Sequence, residues 1–72
     1  MDLKIGQVVQ FCRPVHVDGR VIGKGTRARI AHVLTDLLDP KVTLILLDGD
    51  KPQPLVVDRP VVTVNAVTVP PH

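Results

Sequence analysis

Between Lys24 and Asp50 the chain reads KGTRARIAHVLTDLLDPKVTLILLDGD, two apolar runs separated by an Asp39-Pro40 break. A glycine leads in and Asp48-Gly49 leads out. Asp39-Pro40 stops any helix before it, because the residue preceding proline is pushed out of the helical region. The second run, Val42 to Asp48, is short, apolar on both faces and bounded by turn residues, the pattern of a buried strand. Two apolar faces need cover on both sides, either from a closed barrel or from another subunit. Val42, Leu44, Ile45, Leu46 and Leu47 are therefore candidate interface residues.

The first run, Thr26 to Leu38, admits two readings. As a helix it has Thr26 as N-cap and Ile30, Ala31, Leu34, Leu37 and Leu38 on one stripe. As a strand it carries Ala28 and Ile30 on one face, then Ala31 and Val33 on the other. That phase slip at Ile30-Ala31 demands a bulge. An antiparallel partner follows after the short break at Leu38-Asp39-Pro40, which favours the strand. The fold class expected is then all-β, a small five-stranded barrel; a helix at about 27–38 would make it α+β instead.

The remaining segments fit the β reading. Lys4 to Arg13 is a first strand opened by Gly6, with Val9 and Phe11 on one face and Val8 and Cys12 on the other. Pro14 ends it, and a long irregular hairpin or loop follows, with Asp18-Gly19 as its turn signal. After Asp48–Pro52 turns the chain, Leu55 to Val57 and Val61 to Val64 read as short strands, the latter entered through Pro60. NAVTVPPH extends an edge and frays at its end. Residues 1–72 form one domain, with 65–72 as its tail.

A chain of 72 residues buries only about 60% of its unfolded surface, so it has little core to spare. Cys12 is the single cysteine, which rules out an internal disulfide and fits a reducing, cytoplasmic setting. No apolar block suits a signal peptide, and no run approaches the ~20 residues of a membrane helix. With abundant Val, Leu and Ile in so short a chain, some apolar surface is left over, which points to a homo-oligomer. Charge is uneven as well. Residues 1–34 hold six cations against Asp2 and Asp18, a balance of +4, whereas residues 35–72 hold three cations against five aspartates, −2. Such asymmetry marks a binding face or lets two copies meet head to tail.

Gly6-Gln7-Val8-Val9, followed by Lys24-Gly25-Thr26 and Ile30, resembles the small SH3-like barrel over roughly residues 4–64. The pattern is similar to that of ribosome-associated KOW modules, the nitrile hydratase beta subunit and the variable chain of ferredoxin-thioredoxin reductase. Where the KOW pattern has a second glycine before the isoleucine, this chain has Ala28. The resemblance implies a fold and no particular activity.

Arg20, Lys24, Arg27 and Arg29 are the candidate nucleic-acid or anion-binding residues. A strand places Arg27 and Arg29 on one face, and four such charges would contact phosphates in a strongly salt-dependent way. The plainer reading is a solvated strand face that blocks edge pairing. Phe11 is the only aromatic residue, which excludes aromatic-lined peptide grooves, methyl-lysine cages and base-stacking platforms. His16, His32 and His72 have no metal-ligand spacing, Cys12 reads as a small buried hydrophobe, and Asp48-Gly49-Asp50 reads as a turn. No catalytic residue, metal or cofactor is assigned. Type II dihydrofolate reductases are SH3-like barrels with a tetrameric pore. Their Val-Gln-Ile-Tyr pore segment has no counterpart, and Leu55-Val56-Val57-Asp58 does not replace it. The expected function is a non-catalytic protein–protein interaction or accessory module whose partner is itself or a larger protein. A nucleic-acid-binding module is the alternative and an oligomeric pore-type enzyme the distant one.

Overall fold

A computed structural model describes residues 3–47 and 53–70. The chain forms β1 (Val8–Phe11), β2 (Val15–Val17), β3 (Arg20–Ile22), β4 (Arg27–Leu34), β5 (Lys41–Leu46), β6 (Pro54–Asp58), α1 (Arg59–Asn65) and β7 (Ala66–Val69). Five strands make one antiparallel sheet in the order β6-β5-β4-β1-β7, and β2 and β3 pair as a separate hairpin. The protein is mostly β. The sheet is not closed as a barrel, because β6 and β7 are its two edges.

Alternation sorts the side chains of the sheet into two faces. Val9 and Phe11 of β1, Ala28 and Ile30 of β4, Val42 and Leu44 of β5, and Leu55 and Val57 of β6 all point to the inner face and are buried. The hairpin lies over that face and contributes Val15 and Ile22, while α1 contributes Val62 and β7 contributes Ala66. Among the described residues no polar or charged side chain is buried, so the core is purely apolar.

Within Thr26 to Leu38, Arg27–Leu34 is strand, not helix. Ile30 pairs with Leu44 and His32 with Thr43, so the register shifts at Ala31. The slip required by the sequence is this bulge. It spends one residue so that Ile30 and Val33 both reach the core side. The β2–β3 hairpin turns through Asp18 (φ 50°) and Gly19 (φ 75°) between the paired Val17 and Arg20. Positive φ at both central residues is a type I′ turn, which Asp-Gly favours.

One strand expectation needs correction. Val61 to Val64 is not a strand: it lies within the helix Arg59–Asn65. Pro60 sits in the first helical turn, where its missing N–H costs nothing and its fixed φ suits the helix. The β-branched run Val61-Val62-Thr63-Val64 has weak helix propensity, but propensity yields to topology here. The segment must leave β6 at one edge and enter β7 at the other, and a helix does so while delivering Val62 into the core. Asn65 Nδ2 donates to the Val61 carbonyl at 2.9 Å, and the Cys12 N–H donates to the Asn65 carbonyl at 2.7 Å, tying the helix end to β1. The tail extends a sheet edge, as expected: Ala66–Val69 pairs with β1 along its whole length, Phe11 opposite Ala66 and Val8 opposite Val69. Pro71 and His72, like the Asp48–Pro52 turn, lie outside the described residues.

Candidate interaction site

The outer face of the sheet carries the residues that the core leaves over. Register aligns them in rows across the strands. One row runs Val69, Val8, Arg29, Ile45, Pro54, and the next runs Val67, Gln10, Arg27. Arg27 and Arg29 therefore share one exposed face, as a strand requires. The Arg27 guanidinium is steadied by Nε donating to Gln10 Oε1 at 3.4 Å. Arg20 and Lys24 do not join them. Arg20 stands at the turn of the β2–β3 hairpin, in the layer on the opposite side of the core, and Lys24 lies in the turn between β3 and β4. The basic cluster thus divides into one pair and two separate charges.

The candidate interface strand divides too. Val42 and Leu44 are fully buried, so they belong to this chain's own core and offer nothing to a partner. Ile45 and Leu46 are partly covered, Leu46 by packing against the core, and only Leu47 is exposed. The core covers the inner face of the strand; on the outer face Ile45 stands between Arg29 and Pro54 and remains half-exposed.

The most exposed large apolar side chains among the described residues lie elsewhere. Leu37 and Leu38, at the tip of the β4–β5 connection, are 98% and 95% exposed. The tip is not shapeless. Asp36 Oδ1 accepts the Leu38 N–H at 2.9 Å, an Asx turn that holds the backbone and sends both leucines outward. At its foot, Lys41 Nζ pairs with Asp39 at 3.3 Å and with Asp58 of β6. Those partners raise the Lys41 pKa above its ordinary value, the Asp58 hydrogen bond contributing most and Asp39 next. The Arg59 N–H donates to the Pro40 carbonyl at 3.0 Å, fastening the tip's end to α1. Only the helix alternative puts Leu37 and Leu38 on an apolar stripe. In the strand reading, two leucines between aspartates, directly before a proline, fall in a turn that this chain's own core does not cover.

A groove of about 580 Å³ opens on the outer side of β1 and β7. Val8, Leu47 and Val69 give it an apolar floor, and Lys4 and Arg27 place cations at its rim. The turn that carries Lys4 is fixed by Gln7, whose side-chain Oε1 accepts the Lys4 N–H at 3.1 Å while its own N–H donates to the Lys4 carbonyl at 3.1 Å.

The other reactive side chains are dispersed. Cys12 is exposed, contrary to the buried position expected of it. Alternation points it away from the buried Phe11. His16 and His32 are exposed on different layers, and His72 is outside the described residues. Among the described residues no three His, Cys, Asp or Glu side chains come together as a metal site. Among them, too, no helix is long and apolar enough to cross a membrane. No family model, no curated protein and no solved structure matches the chain.

Proposed function

We propose that this protein is a non-catalytic interaction module on an SH3-like framework that associates with itself through the β4–β5 tip. The carrying observation is the pair Leu37 and Leu38, bare yet held by an Asx turn. Burying each leucine is worth about 1.5–3 kcal/mol, and a turn already formed loses little entropy on docking. Support for the framework comes from the strand order, a first-strand-to-second-strand connection long enough to hold a hairpin, and a short helix before the last strand. The exposed lone thiol of Cys12 suits a reducing compartment such as the cytoplasm.

The test is sedimentation of the native chain over a wide concentration range beside Leu37→Ser/Leu38→Ser. The native chain should pass from monomer to a larger species, and the variant should stay monomeric with an unchanged circular dichroism spectrum. A native chain that stays monomeric throughout overturns the reading.

A second reading rests on Arg27 and Arg29 sharing one exposed face. In that reading the face binds nucleic-acid backbone, with affinity falling steeply as salt rises. Arg27→Ala/Arg29→Ala would then weaken binding to structured RNA and flatten its salt dependence; equal affinity for native and variant chains rejects it.

A further inference from the structure

Self-association through the tip leaves open where the tip goes. We infer that the tip Asp36–Asp39 of one copy seats in the Lys4–Arg27 groove of a second copy, in a closed two-fold pair. This inference rests on the self-associating reading above and adds its acceptor site.

The two surfaces match in kind. The tip offers two apolar side chains flanked by two exposed carboxylates, Asp36, whose Oδ1 holds the turn, and Asp39, which also pairs with Lys41. The groove offers an apolar floor, Val8, Leu47 and Val69, with two cations, Lys4 and Arg27, at its rim. Its volume of about 580 Å³ lies in the range of sites that hold side chains or small ligands. Opposite charges around an apolar centre are the usual arrangement of a specific contact, the centre supplying energy and the rim orientation. The uneven charge of the chain, basic in its first half and acidic in its second, is the same complementarity at larger scale.

A molecule cannot fill its own groove. Tip and groove lie toward opposite ends of β4, whose eight residues span about 23 Å at strand rise. A tip seated in this groove therefore comes from another copy. One tip in one groove supplies only part of the roughly 1,200 Å² that a stable pair buries. When two copies lay their β4–β5 hairpins antiparallel, outer face to outer face, each tip reaches the other's groove. Both contacts then form at once, and the pair closes without an unfilled groove to recruit a third copy. The exposed Val56 and half-covered Ile45 lie on the face between them.

Charge exchange tests the pairing. Lys4→Glu/Arg27→Glu makes the groove acidic against an acidic tip. Asp36→Asn/Asp39→Lys makes the tip basic against a basic groove, while the asparagine keeps an oxygen for the Leu38 N–H. Each variant alone should self-associate at least about tenfold more weakly than the native chain. Mixed in equal amounts they should restore a heterodimer, because both grooves then face tips of opposite charge. All four positions are exposed, so thermal melting should show each variant folded like the native chain. Native-like association of the groove variant alone, or a mixture no stronger than its components, overturns the inference. If the native chain associates and Leu37→Ser/Leu38→Ser abolishes this while the groove charges have no effect, the tip stands and only the acceptor groove fails. A monomeric native chain overturns the underlying reading as well. Species that keep growing with concentration overturn the closed two-fold pair.

Discussion

Two hairpin connections of this protein solve the same geometric task with opposite surfaces. The β2–β3 turn reverses the chain in two residues, Asp18 and Gly19, both polar or side-chain-free and both at positive φ. The β4–β5 connection takes six residues between Leu34 and Lys41 and leaves two leucines almost wholly in water. Reversal of direction therefore does not require Leu37 or Leu38. The first turn is shaped by backbone conformation alone. The second carries apolar surface that its own fold does not use, and the self-association proposed above would bury it.

The comparison breaks if the two turns respond alike to substitution. The largest effect is expected at the leucine tip. Leu37→Ser/Leu38→Ser should weaken self-association by about 100-fold or more, since two buried leucines are worth roughly 3–6 kcal/mol together. Its melting temperature in dilute solution should stay near that of the native chain, because no core contact is lost. At the tight turn the pattern should invert. Gly19→Val forces a β-branched residue to φ 75° and should cost about 1–2 kcal/mol of stability, read by urea titration, with association unaltered once folding is complete. Free space beside Gly19 shows that this cost is conformational and not steric crowding.

The smallest effect sharpens the picture at the foot of the tip. Lys41 has its pKa raised in the folded chain by Asp58 and Asp39. A group whose pKa rises on folding stabilises the fold below its unfolded pKa and loses that contribution as pH climbs through the folded one. Stability should therefore decline slightly above the ordinary lysine pKa of about 10.4. Lys41→Met should remove that alkaline decline in a pH series of melting temperatures. A native decline that survives in the variant would assign it to other groups.

Much of this architecture is legible in the residues themselves. Asp18-Gly19 names its turn type, Pro14 and Asp39-Pro40 mark element ends, and the Ile30-Ala31 slip foretells the bulge. These features are local: each follows from backbone conformation or from side-chain alternation within a few residues. Val61–Val64 departs from its local pattern for a complementary reason. Its β-branched side chains favour a strand locally, but the need to cross between sheet edges and bury Val62 is a demand of the whole molecule. Likewise the apolar run of β5 was legible as buried, yet not which residues its own core would take. Val42 and Leu44 are inside because they lie on the face that Val15 and Ile22 of the β2–β3 hairpin and Val62 of α1 join in one core.

For the candidate site the division is sharper still. Sequence alone determined the inventory: one cysteine, one aromatic residue, basic charge before Thr35 and acidic charge after it, and an Asp-Leu-Leu-Asp segment ahead of a proline. It also determined that Arg27 and Arg29 share a face if their segment is a strand. Tertiary structure alone decided that Arg20 sits in the opposite layer, that Leu37 and Leu38 stay in water, and that Lys4 and Arg27 flank one apolar groove. The reason is range. Alternation and turn chemistry act over two to four residues, whereas a groove joins β1, β4, β5 and β7, whose neighbours are set only when the whole sheet has paired.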